Sequence, residues 1–239
     1  MEVTEEMRRW SESFPLATYD VGPGRTLHLS RLLFLVQETS ERHLRHFNIG
    51  YESLWDAGIA FLTAKTWVKI ERMPLLHETV RIETRPCGVK GAQFIRAFDL
   101  FVGEELCAQV VQTSVAVDPV SHKIHHPRVF ENVEFDASCG GEAPMFPQRI
   151  KTGELPVLGT REIRYSDLDY NGHLSNALYV DFLTDFVPDC PKITEFQINY
   201  VNECRLGDQI VVHGGKDETG RWLVYGEHTR GRAFEAYLK

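Results

Sequence analysis

The sequence predicts an α+β fold in which an antiparallel sheet wraps a long helix, and it predicts this arrangement twice. A segment with apolar residues at helical spacing precedes several segments rich in β-branched and aromatic residues. After a stretch rich in glycine and proline, the same order of one helix and several strands returns. Because a helix with an apolar stripe needs a sheet to cover it, each copy is expected to form a layered unit.

In the first copy, residues 29–47 are the predicted helix, because Leu32 and Val36 lie on one face with further apolar residues at the same spacing. Turn residues, such as those at 86–88, separate the segments that follow. Strands are predicted at residues 61–70, 78–85, 92–102 and 106–117.

The glycine- and proline-rich stretch is the expected boundary between two domains. The second copy has a predicted helix at residues 174–187, which Pro188 ends. Its strands are predicted at residues 195–200, 209–213, 222–229 and 233–238. The predicted organisation is therefore an N-terminal domain (1–135), a linker (136–159) and a C-terminal domain (160–239).

A short sequence match supports the repeat. The tripeptide His-Leu-Ser opens both predicted helices, at residues 28–30 and 173–175. In this register Gly24 and Thr26 stand where the second copy has Asp169 and Asn171. Of the polar residues at these positions, the first copy therefore keeps only its histidine. The sequence therefore predicts two copies of one fold, of which only the second carries the polar residues of a functional site.

Composition excludes several classes of function. A net charge of −8 argues against general affinity for nucleic acid or for an anionic membrane. Residues 1–10 lack the pattern of a secretory signal, and no apolar run approaches membrane-spanning length, so a cytoplasmic location is expected. The cysteines are scattered without a CxxC pair, which favours reduced thiols: Cys87, Cys107, Cys139, Cys190 and Cys204.

The candidate site is a polar cluster just before the second helix. Asp169, Asn171 and His173 occupy alternate positions, so in an extended segment their side chains would point the same way. A helix N-terminus beside them would favour a developing negative charge, as on the oxygen of an attacked carbonyl. The pattern suits hydrolysis of a thioester, whose thiol leaves readily. An Asx-rich turn that caps the helix is the structural alternative.

A base or nucleophile is expected from the following strand, where Glu203 and Cys204 are adjacent. Neighbouring strand residues point to opposite faces, so only one of the two is expected to face the site. Cys204 would act as a nucleophile through an acyl-enzyme, whereas Glu203 would act as a general base on water. Glu203 is favoured because a thiol among apolar neighbours tends to stay protonated.

These residues resemble the acyl-acyl carrier protein thioesterases, which release free fatty acids from fatty-acid synthesis. The resemblance rests on Asp-Leu-Asp-Tyr-Asn-Gly-His-Leu-Ser-Asn at 167–176 with Tyr179, and on Tyr-Val-Asn-Glu-Cys at 200–204. Gln-Glu-Thr at 37–39 and the segment 117–127 extend it into the first half. It implies tandem hotdog domains, with acyl-chain selection largely in the first and catalysis in the second.

The resemblance carries catalytic roles onto Asp169, Asn171, His173 and Glu203, and it puts Cys204 at the position of a cysteine once favoured as the nucleophile. The sequence departs from the family at two neighbouring places. Serine follows His173-Leu174 where many relatives have asparagine, and glycine precedes His173 where glutamine is more usual. With no transit peptide or membrane anchor recognised, the sequence resembles the bacterial branch.

The expected function is hydrolysis of fatty acyl-acyl carrier protein without a metal or an organic cofactor. The histidines at 122, 125 and 126 have no carboxylate or cysteine at ligand spacing. The expected partner is acyl carrier protein, with no nucleic acid and no stable membrane anchor, and the expected state is a monomer or homodimer. The alternatives are an acyl-CoA thioesterase, a hotdog hydratase or dehydratase that acts on acyl thioesters, and a non-catalytic module that binds acyl thioesters.

Overall fold

The structure is a computed structural model that describes residues 3–130, 135–188 and 193–239. The chain forms two compact units. The first contains Met1–Ala64 and Glu71–Pro147, and the second contains Lys65–Ile70 and Gln148–Lys239. Cys87, Cys107, Cys139 and Cys204 are free thiols, and Cys190 lies outside the described residues.

The first unit contains most of the helical residues. Its helices are α1 (Glu5–Arg8), α2 (Leu29–His46) and α3 (Tyr51–Asp56), with short 3₁₀ helices at Thr18–Asp20, Pro23–Arg25 and Pro127–Phe130. Its strands are β1 (Trp10–Pro15), the start of β2 (Ala60–Ile70), β3 (Thr79–Lys90), β4 (Gln93–Val102) and β5 (Glu105–Val117). Strands β1, β3, β4 and β5 are neighbours in that order, each antiparallel to the next.

Helix α2 confirms the helix predicted in the first copy, and it packs against β1 and β3. Leu32 and Val36 are fully buried on its apolar stripe, and each such side chain stabilises the fold by about 1.5–3 kcal/mol. Thr39 is also buried, and its hydroxyl donates to the Leu35 carbonyl at 2.8 Å. The helix therefore buries a polar side chain without leaving it unpaired.

The prediction for β3 was wrong at its end. The strand continues to Lys90 through the segment that was predicted to be a turn. The register with β4 shifts between Pro86 and Val89, and Gly88 has a φ of 97°. A bulge of this kind lets proline and glycine remain inside a strand, because the bulged residues leave the regular ladder. Helices α1 and α3 and strand β1 were not predicted.

Within its described residues, the second unit has one α-helix and a larger share of strand than the first. Its helix is α4 (Tyr179–Phe186), with 3₁₀ helices at Tyr165–Asp167 and Asn176–Leu178. Its own strands are β6 (Val157–Glu162), β7 (Glu195–Tyr200), β8 (Gln209–Lys216), β9 (Trp222–His228) and β10 (Gly231–Leu238). With residues Lys65–Ile70 of β2, they form an antiparallel sheet in the order β2-β7-β10-β9-β8-β6.

Helix α4 packs on this sheet through aromatic rings. The Tyr179 ring lies 5.7 Å from the ring of Phe234 on β10, and the Phe182 ring lies 5.4 Å from it. All three residues are buried. The α+β prediction of a helix against an antiparallel sheet is confirmed in both units.

The prediction that this helix begins at Leu174 was wrong, because α4 begins at Tyr179. Ser175 has an extended ψ of 132°, and the Leu174 N–H donates to the Cys204 carbonyl at 2.8 Å. This contact with a distant segment holds Leu174 outside the helix. His173 therefore does not adjoin the N-terminus of α4.

The segments that lead into α2 and α4 share a hydrogen-bonding pattern. The Asp20 carbonyl accepts from the His28 N–H at 3.0 Å, and the Asp167 carbonyl accepts from the Ser175 N–H at 3.0 Å. His28 therefore occupies the place of Ser175, and the register that matched it with His173 was wrong. That match aligned the predicted helix starts, but α4 starts later than predicted.

A second pair of contacts fixes the same register. Thr26 forms an isolated antiparallel bridge with Leu75, and His173 forms one with Arg205. Thr26 is thus the first-unit counterpart of His173. Within the described part of the chain, no helix has the length and apolar character needed to span a membrane.

Candidate active site

The centre of the candidate site is a tight turn at residues 169–172. The Asp169 carboxylate accepts the backbone N–H of Asn171 at 2.9 Å and that of His173 at 3.3 Å. The Asp169 N–H donates to the His173 carbonyl at 2.8 Å, and Gly172 has a φ of 76°. This is an Asx turn, in which a side-chain oxygen and a left-handed glycine together close the backbone.

The prediction of an extended segment at these residues was therefore wrong. Asn171 is exposed at the tip of the turn, whereas Asp169 and His173 are half-buried at its base. The alternation of polar residues fits both conformations, and the carboxylate hydrogen bonds select the turn.

The chain becomes extended again at His173, which lies opposite Arg205 in the segment after β7. There the His173 Nε2 lies 3.1 Å from the Glu203 Oε2. The imidazole is 32% exposed and the carboxylate 29% exposed, so both are partly withdrawn from water. The structure brings together two of the predicted site residues that are distant in sequence.

The partner of His173 determines which ring nitrogen carries its proton. An ionised carboxylate only accepts hydrogen bonds, so the nitrogen facing it, Nε2, carries the hydrogen in the neutral ring. The Nδ1 is then the basic nitrogen. Among the described residues, none hydrogen-bonds to Nδ1 of His173.

Glu203 is held at its side chain and at its backbone. Its Oε1 accepts from the Arg205 Nε at 2.8 Å and also contacts the Arg205 Nη2. Its carbonyl lies 3.2 Å from the His228 Nε2 and accepts from the Arg230 Nη2 at 3.2 Å. Arg205, His228 and Arg230 were not identified from the sequence, although the Glu-x-Arg spacing at 203–205 was a visible signal.

Cys204 lies on the other side of this segment, in the core beneath α4. It is fully buried, and the Tyr179 hydroxyl donates to its sulfur at 3.4 Å. Burial raises the pKa of the Cys204 thiol to about 11, and the hydrogen bond from Tyr179 opposes this only in part. Cys204 is therefore a neutral thiol near pH 7.

Glu203 and Cys204 were expected to point to opposite faces because they are neighbours on a strand. That reason does not apply, because β7 ends at Tyr200. Glu203 and Cys204 lie in the irregular segment between β7 and β8. Their side chains nevertheless diverge, with Glu203 towards His173 and Cys204 towards Tyr179. Within residues 3–130, 135–188 and 193–239, no group of three or more His, Cys, Asp or Glu side chains is arranged to hold a metal ion.

Two helix-and-sheet units, of which the second contains a paired imidazole and carboxylate, define a two-domain α+β protein with a candidate acid–base site. Residues 8–133 match the family described as the acyl-ACP thioesterase N-terminal domain. Residues 158–229 match the acyl-ACP thioesterase C-terminal domain. The chain belongs to the acyl-ACP thioesterase family, as the sequence motifs predicted.

Plant proteins are among its similar sequences. A chloroplastic dodecanoyl-[acyl-carrier-protein] hydrolase from Cinnamomum camphora is 24% identical over 237 residues, which cover 87% of this chain and 60% of the relative. Oleoyl-acyl carrier protein thioesterase 2 from Arabidopsis thaliana is 22% identical over 229 residues, covering 83% and 60%. The chain thus spans about 60% of the length of these curated relatives.

Solved structures share the fold over nearly the whole chain. An acyl-ACP thioesterase from Bacteroides thetaiotaomicron has a TM-score of 0.87 at 18% identity, with 99% of each chain covered. The 12:0-ACP thioesterase from Umbellularia californica has a TM-score of 0.82 at 17% identity, covering 100% of this chain and 98% of the other. The tandem hotdog prediction is confirmed.

Proposed function

We propose that this protein hydrolyses fatty acyl-acyl carrier protein to a free fatty acid and the carrier-protein thiol, and so ends fatty-acid elongation. The single observation that carries the proposal is the contact between His173 and Glu203 in the second unit. It supplies a polarised base in a chain of the acyl-ACP thioesterase family. The relatives named as acyl-carrier-protein hydrolases favour the same substrate class.

The proposed base is Nδ1 of His173. Both carboxylate oxygens of Glu203 already have cationic or N–H partners, one in Arg205 and the other in His173. The carboxylate therefore acts best by holding the imidazole and stabilising its protonated form, as in other histidine–carboxylate pairs. In this scheme Glu203 assists general-base catalysis through His173.

The reaction has two steps. A water oxygen attacks the thioester carbonyl carbon while its proton passes to Nδ1 of His173, which gives a tetrahedral oxyanion. The oxyanion collapses, the carbon–sulfur bond breaks, and the imidazolium returns its proton to the departing sulfur. No covalent acyl-enzyme forms.

Asn171 and Asp169 have supporting roles in this proposal. The amide of Asn171, exposed at the turn tip, is proposed to polarise the thioester carbonyl. The carboxylate of Asp169 keeps the turn closed through its bonds to the Asn171 and His173 N–H groups. It orients both residues through the backbone.

Cys204 is proposed to be structural. A nucleophilic cysteine needs a thiolate that the substrate can reach, but this sulfur is buried and protonated. Its carbonyl accepts from the Leu174 N–H at 2.8 Å, which links the segment of His173 to that of Glu203. The residue thus contributes to the site through its backbone.

The first domain, which lacks these residues, is proposed to select the acyl chain, with catalysis in the second. We also propose a cytoplasmic protein that acts as a monomer or homodimer and meets acyl carrier protein as its partner. These assignments follow the organisation that the sequence predicted.

The test is thiol release from one long-chain acyl group presented in parallel on acyl carrier protein and on coenzyme A. We expect faster turnover of the carrier-protein thioester. Faster turnover of the coenzyme A thioester would assign the protein to acyl-CoA hydrolysis. Binding of both substrates without thiol release would reject catalysis and indicate a binding module.

A further inference from the structure

We propose that Arg205 is a positioning residue of the catalytic site, which fixes the Glu203 carboxylate and balances its charge beside His173. This inference rests on the proposed function, because it assigns Arg205 a role through Glu203 and His173. Arg205 itself does not touch the reacting atoms in this scheme.

The geometry divides the two carboxylate oxygens of Glu203 between two partners. The Arg205 guanidinium engages Oε1 through Nε, at 2.8 Å, and through Nη2. Oε2 is left to face the His173 Nε2 at 3.1 Å. A planar guanidinium that binds through two nitrogens limits rotation of the carboxylate, which a single point charge does not.

Arg205 is itself anchored at its backbone. Its N–H donates to the Asp208 Oδ2 at 2.7 Å. Arg230 donates to both oxygens of that carboxylate, at 3.0 Å and 2.6 Å, and also to the Glu203 carbonyl. The hydrogen bonds from Arg230 are the main cause of the lowered pKa of Asp208, so this anchor stays charged near pH 7. The backbone of Arg205 is therefore held in place by a charged carboxylate that is itself held by Arg230.

The first unit has the same support without the charged group. The Leu75 N–H donates to the Glu78 Oε2 at 2.7 Å, as that of Arg205 donates to Asp208. Leu75 bridges Thr26 where Arg205 bridges His173. The residue two positions before Leu75 is a methionine, where the second unit has Glu203. The positions that carry the imidazole, the carboxylate and the guanidinium in the second unit are thus occupied by threonine, methionine and leucine in the first.

The charge balance has a predictable effect on the site. A carboxylate beside an imidazole favours the imidazolium form. The guanidinium offsets part of that negative charge, so its removal changes the electrostatic balance beside the imidazole. Loss of Arg205 should therefore move the acidic limb of the pH–rate profile to higher pH.

The experiment compares kcat and its pH profile, with acyl-acyl carrier protein as substrate, for wild type, Arg205→Gln and Arg205→Lys. Arg164→Gln is the matched control, because Arg164 is a 73% exposed arginine of the same unit that pairs with Glu162. For Arg205→Gln we expect kcat to fall about tenfold, less than the ~100-fold loss of a proton-transfer group. We also expect its acidic limb to shift upwards.

Arg205→Lys should restore the position of the acidic limb, since it keeps the charge, but restore kcat only in part, since it loses the planar fork. A profile for Arg205→Gln that matches Arg164→Gln would overturn the inference. A lower Tm of Arg205→Gln with no shift in the acidic limb of its pH–rate profile would also overturn it, because that result indicates a purely structural role. An inactive wild type would instead reject the proposed function.

Discussion

The loops that lead into α2 and α4 have the same backbone connections but different chemistry. In each, a buried aspartate caps the loop: Asp20 accepts the Ala17 N–H at 2.8 Å, and Asp167 accepts the Arg164 N–H at 2.9 Å. Thr26 then stands where the second unit has His173. The two loops therefore share the hydrogen bonds that hold their backbone in place, and they differ in the few side chains that could take part in catalysis.

The largest expected effect comes from giving the second loop the residue of the first. His173→Thr should lower kcat for the carrier-protein thioester by about 100-fold or more, because it removes the proton-transfer group. Thr26→Ala is the matched change in the first unit, and it should leave kcat near the wild-type value. Steady-state thiol release measures both. Similar losses in the two variants would break the proposed division of roles.

The shared support predicts similar losses of stability in the two units. Asp20 also accepts from the Arg31 Nε at 2.6 Å, and Asp167 from the Arg161 Nη2 at 2.9 Å. Replacing either aspartate with alanine removes the acceptor of a part-buried backbone N–H and one hydrogen-bond partner of an arginine, so the free energy of unfolding should fall by about 1–3 kcal/mol.

Denaturant titration measures this loss, with Glu104→Ala as an exposed control expected to change stability by less than about 0.5 kcal/mol. If only one of the two aspartates proved important for stability, the two loops would not be equivalent supports.

A smaller expected effect concerns the stability of the first unit at low pH. His43 on α2 is fully buried, and burial, with help from the Arg96 charge, lowers its pKa to about 3. The folded protein therefore holds this ring neutral, whereas the unfolded chain protonates it below about pH 6.5. Its contribution to stability is present above that pH and is lost progressively as the pH falls towards 3.

We expect the denaturant midpoint of the wild type to fall between about pH 7 and about pH 5. His43→Gln should show a smaller fall over the same range. His122→Asn is the control, because His122 is exposed and asparagine tolerates its φ of 56°. An equal pH dependence in wild type and His43→Gln would contradict the assignment.

The regular elements could be predicted from local patterns. The predicted strand at 195–200 coincides with β7, and the predicted helix at 29–47 differs from α2 by one residue. In both, the apolar periodicity, or the β-branched and aromatic content, agrees with the final packing.

The site could be predicted only in its residue types. Asp169, Asn171, His173 and Glu203 were all candidates, but the turn at 169–172 depends on a carboxylate that bonds to its own backbone. The late start of α4 depends on the hydrogen bond from Leu174 to Cys204, thirty positions along the chain. Such contacts leave no trace in local periodicity.

The central claim is that water activated by His173 and Glu203, and not the Cys204 sulfur, attacks the thioester. The most direct measurement is thiol release from a long-chain acyl-acyl carrier protein by Glu203→Gln and Cys204→Ala, side by side with wild type. The account predicts a loss of about 100-fold in the first and nearly full activity in the second. Loss of activity in a folded Cys204→Ala protein, together with an active Glu203→Gln protein, would contradict it.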